Sequence, residues 1–143
     1  MPGNQSLMTD LSLPTIAPAR PLLRFALKLD AVVSGANGVA YLAAAAPLSD
    51  LLGLSETLLR VTGAFFLVYA AFVWTVAARR EIPRRSAYAI VAGNTIWAVG
   101  SVAAAIAGLG DPTTTGTVWI VLQAIVVGAF AELQLTGLRR KDR

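Results

Sequence analysis

The chain has 143 residues, of which 56% are hydrophobic and 14% charged, and a mean hydropathy of +0.65; a water-soluble domain of that composition would expose large apolar patches, so a membrane chain is expected. The net charge is +4, but the basic residues stand in short blocks between apolar segments, not on a helix face interleaved with aromatics, which argues against nucleic acid as a partner. There is no Cys and no His, which excludes thiolate or imidazole ligation of haem, Fe–S clusters or zinc and disulfide exchange; no metal and no cofactor is expected.

Residues 1–21, with Pro2, Pro14 and Pro18, read as an irregular cytoplasmic tail. A helix needs roughly 20 apolar residues to cross a hydrocarbon core, at about 1.5 Å per residue. Four segments within 22–138 reach that length. The first is expected over about Leu22 to Ala46, stopped by Pro47-Leu48-Ser49-Asp50. A cleaved signal peptide ending near Ala43 to Ala46 is the rival reading of this stretch; Asp30, Asn37 and Pro47 count against it. The second runs from about Glu56 to Ala78, with Ser55 as a cap and Arg60 paired with Glu56 one turn earlier. The turn Arg79-Arg80-Glu81-Ile82-Pro83-Arg84-Arg85 is too charged for lipid. The third is expected over 87–109, broken by Gly108, Gly110, Asp111 and Pro112, and the fourth over 117–138, followed by a basic cytoplasmic tail at 139–143.

Basic loops are retained on the cytoplasmic side. Arg20, Arg24 and Lys28, the Arg79–Arg85 turn and the Arg139–Arg143 tail would all lie on one side, opposite Asp50 and Asp111. The expected fold is therefore an all-α, four-helix transmembrane bundle with both termini cytoplasmic, multi-pass in the inner (cytoplasmic) membrane. A faint match of 31–37 to 89–94 suggests a parallel repeat of two helical hairpins. Lipid gives no hydrophobic drive between helices, so small residues have to supply close contacts. Gly35 and Gly38 on the first helix, Gly93, Gly100 and Gly108 on the third, and Ala124, Gly128 and Ala131 on the fourth offer such faces, within the bundle or to another copy. Trp74 and Trp119 read as interfacial anchors, while the Trp97 N–H falls mid-span and needs either an inner partner or a shift in register.

The polar residues share a depth. Ser34, Asn37, Tyr69, Asn94 and Glu132 all fall roughly 9 to 14 Å below the cytoplasmic boundary, with Asp30 nearer to it and on one helix face with Ser34, Asn37 and Tyr41. Polar groups in a bilayer need partners, so Asp30, Ser34, Asn37, Tyr69, Asn94 and Glu132 form the candidate binding site. Two readings stay open: hydrogen bonds that cross-link helices, or a cavity in which Glu132 exchanges a proton or cation. Gln123 and Gln134 share a face with Trp119 and Phe130, roughly opposite Glu132, and both faces cannot point at one cavity. No nucleophile elbow, P-loop, dinucleotide fingerprint or metal-ligand spacing occurs, so no catalytic residue is assigned and an enzyme is not the favoured reading.

Leu29-Asp30-Ala31-Val32-Val33-Ser34-Gly35, Gly93-Asn94-Thr95-Ile96-Trp97 and Ala131-Glu132-Leu133-Gln134 resemble small bacterial four-helix membrane proteins, some grouped with the DoxX-like superfamily. Some of those are associated with quinone-linked oxidase complexes, but no motif here carries a redox role to a residue. The leading expectation is a non-catalytic accessory or scaffolding protein, contacting lipid and assembling as a homo-oligomer or within a larger complex. The alternative is a small transporter or lipid-binding protein that uses the inner polar cavity.

Overall fold

Residues 21–140 are described by a computed structural model, and the tails expected at 1–20 and 141–143 lie outside them. These residues form five helices: α1 Pro21–Ala43, α2 Ala45–Leu52, α3 Glu56–Ala78, α4 Arg84–Ala107 and α5 Thr114–Arg139. No strand occurs among the described residues. Helices α3, α4 and α5 are each long and apolar enough to cross a membrane, and α1 with α2 meets the same criterion as a pair bent by 96°. The protein is thus a helical membrane protein with three to four candidate spans. Large exposed side chains such as Val68, Ile96, Val99 and Ile106 cover its outer faces, as lipid contact requires.

The first span differs from expectation. It does not run on to Ala46, because Pro47 has no N–H to offer the Ala43 carbonyl and the helix ends there. The chain then turns sharply into α2, where Pro47 and Asp50 lie inside a helix instead of stopping one. Proline is tolerated in a first turn, whose N–H groups have no intrahelical partner. At its far end α2 closes on Gly53 at φ 75°, whose N–H bonds the Ser49 carbonyl at 2.8 Å, a left-handed cap suited to glycine.

Thr113 ties α2 to α5. Its hydroxyl donates to the Leu51 carbonyl at 2.8 Å and accepts from Gly116 N–H at 3.0 Å, while its own N–H bonds the Leu52 carbonyl at 2.9 Å. One residue so satisfies two exposed carbonyls of α2 and caps α5. Ser55 caps α3 by accepting from Leu58 N–H at 3.1 Å, and Glu56 pairs with Arg60 at 3.4 Å. The other end of α3 is capped by Arg24 of α1, which donates to the carbonyls of Ala77, Arg79 and Arg80.

Packing follows the small residues, though not all of those expected. Helices α1 and α3 cross at Gly38 and Gly63, where a Cβ on either would lie within 2.9 Å of the other's carbonyl oxygen. Gly137 of α5 rests on the backbone of Leu23 in the same way. By contrast, a Cβ on Gly93, Gly100 or Gly128 would meet nothing within 4 Å, so those faces make no close helix contact among the described residues. Helix α1 packs on α3 and α5 and α4 packs on α5, whereas the backbones of α3 and α4 stay apart and meet mainly through long side chains. That gap gives the site its shape.

Candidate functional site

One polar side chain from each of the four long helices meets at the Asp30 carboxylate. Asp30 is 1% exposed, Asn94 4% and Gln134 0%. Asp30 Oδ2 receives Asn94 Nδ2 and Gln134 Nε2, each at 2.8 Å, and also lies 2.8 Å from the Tyr69 hydroxyl. Ser34, one turn along α1, donates to Oδ1 at 3.1 Å. Two further contacts close the network: Asn94 Nδ2 donates to Gln134 Oε1 at 3.0 Å, and the Tyr69 hydroxyl stands 2.7 Å from Asn94 Oδ1. Groups far apart in the chain, such as Asp30 and Gln134, are held by these bonds at one level of the fold.

A second polar layer lies toward the α2 end. The Tyr41 hydroxyl accepts from Trp119 Nε1 and from Gln123 Nε2, both at 2.9 Å. Tyr41 is three turns along α1 from Asp30, so the layers are separated by roughly 16 Å along the helix. Trp119, expected to point its N–H toward water, donates it to Tyr41 instead.

Between the two layers is a cavity of about 280 Å³. Its walls are largely aromatic and aliphatic, with Phe65 and Phe66 from α3, Trp97 from α4 and Phe130 from α5. Phe65 stacks on Trp97 at 5.9 Å between ring centroids, across the gap between α3 and α4, and Phe66 meets the same indole edge-on at 5.2 Å. Gly93, with no side chain, and Val33, Leu122, Val126 and Val127 complete the apolar lining. The polar lining comes from Ser34, Tyr69 and Asn94 at the Asp30 layer, Trp119 and Gln123 at the other, and Asn37 between them. Asn37 and the Trp97 N–H make no hydrogen bond to other described residues. Among the described residues, no charged side chain lines the cavity.

Of the six candidates, the fold brings Asp30, Ser34, Tyr69 and Asn94 into mutual contact. Asn37 stands apart on the cavity wall. Glu132 does not join them: its side chain is exposed, and its backbone carbonyl accepts from Thr136. Helix α5 turns its glutamine face inward, and two residues along a helix amount to a rotation of about 200°, so burying Gln134 sends Glu132 outward. Gln134 is the site residue that the depth argument passed over. Its signal was its register with Gln123, eleven residues earlier on the same face. No cluster of three or more acidic side chains able to hold a metal occurs among the described residues. Comparisons with protein-family models, curated proteins and solved structures find no match to this chain; the DoxX-like resemblance accordingly contributes no residue roles.

Proposed function

We propose that this chain is a non-catalytic membrane protein that binds a neutral, mostly apolar small molecule between its helices, as a lipid-binding protein or carrier would. The carrying observation is the 280 Å³ cavity, apolar along its length and polar at both ends, with the unpartnered Asn37 amide between. Ligand sites are commonly concave and apolar with a few placed polar groups. The absence of Lys and Arg from the lining disfavours an anionic headgroup, which would enter without a counter-charge. An occupant with a hydroxyl or carbonyl at one end could bond Asn37, Ser34 or Gln123 and fill the aromatic section with its apolar body. The loose α3–α4 contact supports access from lipid at the Phe65–Trp97 pair.

A static scaffold is the second reading, favoured by the way Asp30, Tyr69, Asn94 and Gln134 satisfy each other across four helices. In either case we place the Arg79–Arg85 turn and both termini in the cytoplasm, on the positive-inside rule. The tight pairing of α1 with α3 and of α4 with α5 supports the two-hairpin organisation, and we assign the chain to the inner membrane as a multi-pass protein.

The test is to purify the protein and identify the small molecules it retains by mass spectrometry, beside Gly93→Leu. A Cβ at Gly93 would meet nothing within 4 Å and Gly93 lines the cavity, so the rest of the leucine side chain should extend into that space and obstruct it while the variant folds. A neutral apolar compound retained stoichiometrically by the native chain and lost from Gly93→Leu is expected. Identical retention by both, or none by the native chain, would leave the scaffold reading.

A further inference from the structure

The hydrogen count of the Asp30 network does not balance. Tyr69 has one hydroxyl hydrogen, yet its oxygen lies 2.8 Å from Asp30 Oδ2 and 2.7 Å from Asn94 Oδ1. With an ionised carboxylate, one of those contacts is oxygen against oxygen with nothing between. Exchanging the O and N positions of an amide side chain is the usual remedy. It fails here. Turning Asn94 alone sets its oxygen against both Asp30 Oδ2 and Gln134 Oε1, and turning Gln134 as well leaves two amide oxygens facing Oδ2. The orientation in the structure has the fewest unbridged contacts, and it still lacks one hydrogen.

We propose that Asp30 is an internal proton-binding site, with the proton on Oδ2 directed at the Tyr69 oxygen while Tyr69 donates to Asn94 Oδ1. Every short contact is then bridged. The step is simple protonation: the carboxylate takes one proton, one O–H bond forms, one negative charge disappears and nothing is oxidised or reduced. The surroundings agree. Among the described residues, the polar groups facing Asp30 are Ser34 on its own helix, Tyr69 from α3, Asn94 from α4 and Gln134 from α5, and none is a cation. Arg24 is engaged with the carbonyls that end α3, Lys28 lies over the Trp74 ring at 5.3 Å, and Glu132 faces outward. The ion pair of Arg60 with Glu56 is the only one among the described residues. A carboxylate buried in a span without a cation is expensive, and a bound proton removes that expense.

This site does not depend on the cavity's having an occupant. It is nevertheless part of the cavity wall, because Ser34, Tyr69 and Asn94 line the space. An occupant that hydrogen-bonds to Tyr69 or Asn94 would compete with the proton's own chain of bonds. Proton and occupant are thereby linked through shared donors and acceptors.

The experiment is infrared spectroscopy of the protein in lipid vesicles buffered near neutrality, with and without isotopic labelling of the aspartate carboxyls. The expected result is a carboxylic-acid C=O band, equivalent to one group per chain, that moves with the aspartate label and is lost in Asp30→Asn. Tyr69→Phe should keep the band at a shifted frequency, since the acid stays buried but loses its acceptor. The labelled native protein carries the test even where Asp30→Asn fails to fold. Absence of a label-sensitive acid band overturns the proposal. So does a band that disappears when choline in the buffer is replaced by sodium, which would make the cluster a metal-cation site. Loss of a retained apolar compound in Gly93→Leu would leave this result unaffected, so the two readings fail separately.

Discussion

Replacing Gly63 by alanine probes the contact that holds α1 against α3. A Cβ there would lie 2.9 Å from the Gly38 carbonyl oxygen and from Tyr41 Cβ, and 3.1 Å from Leu42 Cγ, where ordinary contact begins at 3.4 Å. The first two overlaps are each about half an ångström. Neither neighbour can swing aside, since one is backbone and the other a Cβ, so α1 must move as a body. Overpacking of this kind costs about 1–3 kcal/mol. Alanine also offers about 1 kcal/mol of helix propensity over glycine, which would hide part of the loss. Gly100→Ala on α4 carries the same propensity gain but meets nothing within 4 Å. Measured against it, Gly63→Ala should be less stable by about 1–3 kcal/mol, or roughly 5- to 150-fold in the ratio of folded to unfolded chain. Denaturation by SDS in mixed micelles, followed by tryptophan fluorescence, gives both midpoints. Equal midpoints, or a more stable Gly63→Ala, would refute a close approach at this crossing.

Thr113→Val removes the hydroxyl that both donates to Leu51 and caps α5; a loss of about 1–2 kcal/mol in the same titration is expected. Arg24→Ala leaves the carbonyls at the end of α3 without their donor and should raise hydrogen exchange at 76–80, with Arg24→Lys recovering part of the protection. Glu132→Gln, on an exposed face, should leave both the unfolding midpoint and the aspartate acid band unchanged; a shift in either would return Glu132 to the site. Topology reporters within 79–85 and after 143 should both read cytoplasmic and one near Asp111 external, and an external C-terminus would refute the assigned orientation.

Depth was legible in the sequence because helical rise is constant: counting residues from the charged inner ends put Ser34, Tyr69 and Asn94 at one level, where the structure joins them. Rotation was not legible. In a soluble helix the polar face marks the outside, but here lipid-facing and inward-facing side chains are both apolar, and burial does not separate them by composition. On α5 the residue with the stronger chemistry, Glu132, therefore drew the assignment, whereas the buried partner is the neutral Gln134. A neutral amide is the better choice at that position: it donates to Asp30 Oδ2 and accepts from Asn94 at once, while a second carboxylate would face the first. The bend after Ala43 escaped for a related reason, since Pro47 forbids one hydrogen bond but does not say whether the chain stops or turns.

Asn37 and Asn94 show how far the depth argument reaches. The helical rise places them at similar levels, yet Asn94 is 4% exposed and engaged with Asp30, Tyr69 and Gln134. Asn37 lines the cavity without a partner among the described residues. The difference comes from the helices that face them. Asn94 looks across to polar side chains of α1, α3 and α5, whereas no described polar group lies within hydrogen-bond reach of Asn37. A buried network rewards each amide only when the partners opposite it are complete. On that ground the completed amide fits the proposed proton site, and the uncompleted one is free to bond the proposed occupant of the cavity.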